Sequence, residues 1–379
     1  MQALRCVLLA LLVVSSAPQA TRADDSTTLS TRVSQLTADY RAKRPFAALS
    51  VGLLQNGQSH TFSYGQTGEA DSQRPTDGRT LFEIGSISKV FTSLALAVMV
   101  ERGDVNLNDP LSRILPDATL SEDAGNITLH ELSTHTSGLP RLPVAMIFDA
   151  LWNRDNPYVA FDERRLEHFL SSWKAPDQRA FMYSNLGAGL LGHALQHKAG
   201  LGSYDSLLKS TIATPLGLVD TTVHLSADQK SRYASGYSLK GLPVSSWDFN
   251  ALAGAGAIRS STDDLLVFLK HQLNPEQSPL GKPITRSHKT RKQTKSGVIG
   301  LGWLIVEKDG RTLFFHNGAT GGYTAFIGFE PGRKQALVLL SNTADAFARD
   351  NSLDKLGFKL LGDLGTTPEP PEAEKTKDR

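Results

Sequence analysis

The chain has 379 residues, a formal charge of +2 at neutral pH, 40% hydrophobic residues and a single cysteine, Cys6. That near-neutral balance argues against general binding to nucleic acid or to an anionic membrane surface. The length is ample for a buried core and carries a prior of about two domains, while one cysteine excludes an internal disulfide framework.

The first 23 residues read as a secretory leader, with Arg5 as the positive start, Cys6 to Val14 as the apolar run and Ala17, Ala20 and Ala23 as small residues of a cleavage region. The run is far short of the roughly 20 residues that a membrane span needs. A periplasmic or secreted protein with no stable membrane anchor is expected, cleaved after Ala20 or Ala23, and Cys6 would leave with the leader.

Thr27 to Lys43 has the pattern of an amphipathic helix. Phe46–Leu54 and His60–Gly65 read as a β-hairpin around Gln55-Asn56-Gly57-Gln58, because Asn-Gly favours the tight turn. Gly85 marks a bend, and Ile87 to Val100 reads as a mostly buried helix that stops near Gly103. Further helices are expected near 129–135, 162–173, 185–200, 203–213 and 262–273, with Asn108-Asp109-Pro110 and Pro215-Leu216-Gly217 as turn signals.

Gly281 to Lys295 holds six Lys or Arg and almost no apolar residues, so it reads as an exposed loop. Strands return at 302–306, 312–315, 323–329 and 335–340, with hairpin turns at Asp309-Gly310 and Pro331-Gly332. A helix is expected from about Ala344 to Leu361, and the Pro, Glu and Lys of the tail from Thr366 have the composition of disorder. The order implies an α/β (α+β) fold: a discontinuous domain with an antiparallel sheet flanked by helices, built from 24–80 plus 296–365, into which an all-helical domain, 81–295, is inserted, with a leader (1–23) before it and a disordered tail (366–379) after it.

The stretch Phe82-Glu83-Ile84-Gly85-Ser86-Ile87-Ser88-Lys89 places a serine and a lysine three residues apart where a helix begins. Such residues share a helix face. Lys89 can therefore stabilise the Ser86 alkoxide or, if deprotonated in a dry site, accept the serine proton, while the helix N-terminus offers N–H groups to an oxyanion. The spacing alone is weak evidence, since Ser171/Lys174, Ser206/Lys209 and Ser352/Lys355 share it.

An acylating serine also needs a proton shuttle and groups that hold the substrate. Tyr183-Ser184-Asn185 is the chain's only Tyr-x-Asn and opens an apolar helix, although Ser184 or Asn185 could equally be a simple helix cap. His316-Asn317-Gly318 ends the strand Thr312–Phe315. A rival third motif, Lys295-Ser296-Gly297, follows the polar run Arg286 to Thr294, which is not a buried strand, so His316 is preferred.

The octapeptide resembles the active-site signature of class C β-lactamases. Together with Tyr-x-Asn and a His/Lys-x-Gly strand in this order, it makes nearly the whole mature chain similar to the penicillin-recognising enzymes, class C β-lactamases and serine DD-peptidases, for which a related pattern is known in class A. Asp109-Pro110-Leu111, Ile127 to Pro140 and Gly254 to Ser260 add to the likeness. The resemblance implies Ser86 as nucleophile, Lys89 and Tyr183 as proton-relay pair, Asn185 on the substrate amide, His316 and Gly318 on the opposite wall, and the N–H groups of Ser86 and Ala319 as oxyanion hole. It requires no cofactor and no metal. The implied partner is a small β-lactam or peptidoglycan peptide, with no nucleic acid and a monomeric state.

The departure is His316, where β-lactamases of this class usually carry lysine. A neutral imidazole holds a carboxylate less strongly than an ammonium does. If His316 titrated near its unperturbed value of about 6.5, carboxylate substrates would bind more tightly as pH fell. β-Lactams, D-alanyl peptides and simple esters all remain open as substrates, as does a sensor that is acylated without turnover. A zinc peptidase does not fit: His130 and His135 are five apart, about 140° around a helix, and there is no Gly-x-Ser-x-Gly elbow of an α/β-hydrolase.

Overall fold

A computed structural model of the chain describes residues 20–68, 74–146, 148, 155–294, 297–308, 310–345 and 352–364. The leader up to residue 19 and the tail from 366 lie outside the described residues. Helix α1 (Ala20–Ala42) leads into the hairpin β1 (Leu49–Gln55) and β2 (Gln58–Tyr64), whose turn places Asn56 and Gly57 at φ 50° and 79° as a tight Asn-Gly turn requires. Strand β3 (Leu81–Glu83) is followed by a single 3-10 turn, Gly85–Ile87, and by α2 (Ser88–Arg102), which ends on Gly103 at φ 80°. Then come α3 (Leu129–Ser133), α4 (Glu163–Ser172), α5 (Asn185–Lys198) and α6 (Tyr204–Leu208).

Strand β4 (Arg259–Ser261) pairs with β3 and runs into α7 (Thr262–Leu273), after which α8 (Gly281–His288) precedes the remaining strands. These are β5 (Lys292–Thr294), β6 (Gly297–Ile299), β7 (Leu304–Lys308), β8 (Arg311–Ala319), β9 (Thr324–Glu330) and β10 (Gln335–Ser341), and α9 (Leu353–Leu364) closes the described chain. Eight strands form one antiparallel sheet in the order β2-β1-β10-β9-β8-β7-β6-β5. The sheet is antiparallel and flanked by helices, as the sequence implies.

The two faces of this sheet are covered by different helices, which explains why its central strands read as unbroken apolar runs. Leu337, Leu339 and Phe326 pack with Val33 and Tyr40 of α1 and Leu353 and Leu360 of α9, whereas Ala336, Val338, Leu340 and Ile327 join the larger core of α2, α5 and α7. Period-two alternation sorts neighbouring residues to opposite faces. Between α2 and α7, Phe91 and Phe268, both fully buried, stack with ring centroids 4.3 Å apart.

Two expectations need correction. Gly281 to His288 is a helix rather than an exposed loop, because Pro283, Ile284 and Ser287 bury one face and His288 rests on Phe314 at 4.8 Å, while Lys282 and Arg286 turn outward to Glu101. Ile284 and Ser287, three apart, share that face. The polar run also forms the short strand β5, but at the sheet edge and exposed. The last helix starts at Leu353, not near Ala344; Asp345 is buried and takes an ion pair from Arg44 at 3.1 Å, and residues 346–351 lie outside the described set.

Phe268→Ala removes the ring that joins α7 to α2, so urea denaturation should show a loss of roughly 3–5 kcal/mol in unfolding free energy. A loss under about 1 kcal/mol would mean the stack contributes little to holding α2 against the sheet.

Candidate active site

Ser86 lies in the 3-10 turn and Lys89 in the first turn of α2, so the three-residue spacing brings Lys89 Nζ to 2.9 Å from Ser86 Oγ. The amine also donates to the Ala255 carbonyl at 2.7 Å. Lys89 is only 2% exposed, and burial, reinforced by the positive charge of Arg141, holds its pKa well below that of an ordinary lysine. The three rival serines have other partners: Ser171 Oγ donates to His168 O, Ser206 Oγ pairs with Ser203 Oγ, and Ser352 Oγ accepts from Lys355 N.

Bare backbone lets the Ser86 turn touch strand β8. A Cβ on Gly85, which sits at φ 49°, would lie 2.6 Å from Ala319 N, and one on Gly318 would overlap the Ile84 carbonyl and approach Ser86 N to 3.0 Å. Gly318 is thus a point of close packing between strand and turn. The register of β8 puts Phe314, His316 and Gly318 on one buried face. The strand runs to Ala319, longer than the sequence suggests, so the motif lies inside it.

Burial pushes the Tyr183 phenol up to about 12, and the neighbouring Ser86 and Arg141 offset part of that rise. Its ring is held between several groups: His135 at 4.6 Å centroid to centroid, Lys89 Nζ at 5.0 Å and Arg141 Cζ at 5.3 Å. His135, at φ 57°, accepts the Ser184 N–H on Nδ1 at 3.2 Å, which fixes the neutral tautomer with the proton on Nε2. Burial next to Lys89 lowers its pKa to about 3. His135 follows the end of α3 at Ser133, so it shares no helix face with His130.

Helix α5 is capped by Ser184 Oγ on Gly187 N at 2.8 Å, so the capping reading of this motif holds for Ser184 while its neighbours face the site. Asn185 Nδ2 donates to Tyr158 Oη at 2.7 Å, and Oδ1 is buried with no partner among the described residues. Whichever way the amide is turned, one end holds Tyr158 and the other is open. Tyr158 in turn packs on Trp247 and Phe249 at 5.5 and 4.3 Å. Glu83 of the octapeptide accepts from Trp247 N and Tyr233 Oη, both at 2.9 Å, and pairs with Arg259, which also donates to Trp247 O.

His316 is buried beside this group, its ring 6.4 Å from that of Tyr183. Nδ1 donates to the Asn317 carbonyl at 2.7 Å, leaving Nε2 as an acceptor. Burial, then the Lys89 charge, lowers its pKa to about 3. This corrects the expectation of titration near 6.5: His316 stays neutral through the physiological range. Of the rival motif, Lys295 and Ser296 lie outside the described residues, while Gly297 begins β6, separated from β8 by β7.

The sequence therefore picked out Ser86, Lys89, Tyr183, Asn185, His316, Gly318 and Ala319, which the fold brings together. It passed over Tyr158, Trp247 and Arg141, and touched His135 only in weighing zinc and within the stretch Ile127 to Pro140. No local pattern marks Tyr158 or Trp247. Arg141 directly follows Leu139-Pro140, the end of a stretch already singled out.

Fold and site together define a penicillin-recognising serine enzyme framework, and the comparisons with known proteins agree. The beta-lactamase family model matches residues 33–360, so the chain belongs to the beta-lactamase family. A Pseudomonas fluorescens beta-lactamase is 30% identical over 79% of this chain and 89% of its own length. A class C beta-lactamase from Rhodobacter sphaeroides superposes with TM-score 0.77 at 25% identity, covering 88% of this chain and 99% of that one. A D-alanine carboxypeptidase from Burkholderia cenocepacia has TM-score 0.76 at 23% identity, covering 90% and 99%, which is a likeness of fold.

Two expected outcomes follow from these contacts. Tyr158→Phe frees the bonded end of the Asn185 amide, so kcat/KM for amide substrates should fall about tenfold, a typical effect of one lost hydrogen bond in a buried site; an unchanged value would remove Tyr158 from the site's support. Because His316 protonates only near pH 3, the ratio of kcat/KM for a carboxylate substrate to that for a neutral ester should stay flat between about pH 5 and 8. A rise in that ratio centred near 6.5 would show that His316 is solvated after all.

Proposed function

We propose that the protein is an exported serine hydrolase that opens β-lactams through an acyl-enzyme on Ser86. The observation that carries this reading is the buried amine of Lys89 at 2.9 Å from Ser86 Oγ. Depressed basicity leaves more of that amine neutral at a given pH, with a lone pair for the serine proton. Tyr183, with its phenol raised to about 12, keeps its own proton at neutral pH and is the donor of the pair.

In this scheme Ser86 Oγ attacks the lactam carbonyl while its proton passes to Lys89. The carbonyl oxygen takes up the negative charge between the N–H groups of Ser86 and Ala319, next to a helix N-terminus. As the C–N bond breaks, Tyr183 gives its proton to the leaving nitrogen and recovers one from Lys89. Water then attacks the ester carbonyl, and the same pair takes its proton and delivers it to Ser86 Oγ as the acyl–oxygen bond breaks, restoring the free serine. Asn185 offers its open amide end to the substrate amide, and His316 presents neutral Nε2 and the wall of β8.

Support for β-lactams comes from the Pseudomonas fluorescens relative, which is named a beta-lactamase. A second reading, a D-alanyl-D-alanine carboxypeptidase, draws on His316 in place of the usual lysine and on fold neighbours named D-alanine carboxypeptidases. Parallel assay with nitrocefin, a D-Ala-D-Ala peptide and p-nitrophenyl acetate separates the two from an esterase. Export rests on the leader-like first 23 residues. No helix among the described residues is long and apolar enough to cross a membrane.

Ser86→Ala should abolish the penicillin adduct in intact-mass spectra, whereas Ser171→Ala, Ser206→Ala and Ser352→Ala should keep it; an adduct that survives Ser86→Ala sinks the mechanism. Lys89→Ala and Tyr183→Phe should each lower kcat by roughly 10³ or more, with the double variant little worse than either, as members of one relay behave. Additive losses would separate them into different proton paths.

A further inference from the structure

We infer that Arg141 is a specificity residue for an anionic group on the acyl part of the substrate, the part that lies along the α5 wall rather than along β8. This rests on the acyl-enzyme reading above, in which Asn185 receives the substrate amide, here taken as the amide of the acyl substituent. Arg141 is fixed by its backbone: its carbonyl accepts the N–H groups of Asn185 at 3.1 Å and Leu186 at 3.2 Å, the first two residues of α5. Its side chain is exposed, and the guanidinium carbon stands 5.3 Å from the centre of the Tyr183 ring.

The cation is also unspent. Every other arginine beside the active-site network has an acid: Arg259 pairs with Glu83 and Arg179 with Glu131, but Arg141 has no carboxylate partner among the described residues. Its charge instead reaches Lys89, Tyr183, Tyr158 and His135. A guanidinium held at a cleft mouth with no counter-ion is a ready fork for a carboxylate, and such charge-assisted bonds are the strong ones.

The wall matters to the substrate class. His316 and Gly318 face the nucleophile from β8, whereas Arg141, Tyr183 and Asn185 come from the opposite side, at the start of α5. With His316 neutral, the fixed positive charge on this side of the cleft is the guanidinium over the Tyr183 ring, on the residue whose carbonyl accepts the Asn185 N–H. The group it selects is therefore a carboxylate carried on the acyl substituent, distinct from the carboxylate on the lactam nucleus that every penicillin shares.

α-Carboxybenzylpenicillin and benzylpenicillin differ only by a carboxylate on that substituent, so the ratio of their Ser86 acylation rates, or of kcat/KM where turnover occurs, reads the interaction directly. Arg141→Gln should lower this ratio about tenfold to a hundredfold, Arg141→Lys should hold it within about fivefold, and added KCl should lower it in the wild type because an exposed charge pair is screened. A ratio unchanged in Arg141→Gln, with the Ser86 adduct still formed, overturns this inference alone. If Arg141→Gln fails to fold, a salt-independent ratio in the wild type overturns it equally. Absence of any Ser86 adduct sinks the acyl-enzyme reading, and this inference with it.

Discussion

The site is governed by the cost of keeping an ammonium out of water. Lys89 is buried at the N-terminal end of a helix that is itself covered on all sides from Ser88 to Met99. Full burial of an ion costs several kcal/mol, and the helix N-terminus adds a repulsive field to any cation. Among the described residues no carboxylate relieves it: the amine's partners are a serine hydroxyl and the Ala255 carbonyl. The same environment holds His135 and His316 neutral and keeps the Tyr183 phenol protonated. One electrostatic condition thus assigns the proton inventory of the whole cleft, with a poor cation beside a good proton donor.

That condition depends on α2 being sealed, and the sealing comes from sheet and helices together. Phe91 locks α2 to α7, while Gly85 and Gly318 let the turn carrying Ser86 lie against β8 with no side chain between them. The nucleophile therefore rests between a rigid strand and the start of a buried helix. Glu83 belongs to the same design from further back, since its bonds to Trp247 and Arg259 support the aromatic group that holds Tyr158, and Tyr158 holds Asn185.

How much of this was legible in the sequence depends on whether the signal is local. Ser86 and Lys89 are read from helix spacing, the β1–β2 hairpin from Asn56-Gly57, and the central strands from their apolar runs, all short-range physics. Tyr158 and Trp247 carry no such signal, because their partners are 27 residues away in one case and 164 in the other. The helix Gly281–His288 was hidden by its charges, since Pro283 and Ile284 are its only apolar side chains, although both are buried. His316 was found by its strand, but its ionisation was not, because desolvation is a property of the assembled fold and an isolated imidazole gives no hint of it.

The substitution at His316 gains meaning from the wall facing it. A lysine buried near Lys89 would set two ammonium groups against each other in a dry cleft, and one or both would lose charge. The chain instead places a neutral imidazole there, tied by Nδ1 to the Asn317 carbonyl, and its exposed cation on the far side at Arg141. A guanidinium keeps its charge where an amine does not, and at the mouth it keeps part of its hydration as well. Positive charge in this cleft is thus carried at the rim by the residue that tolerates exposure, while the interior is left to groups whose work is to exchange protons.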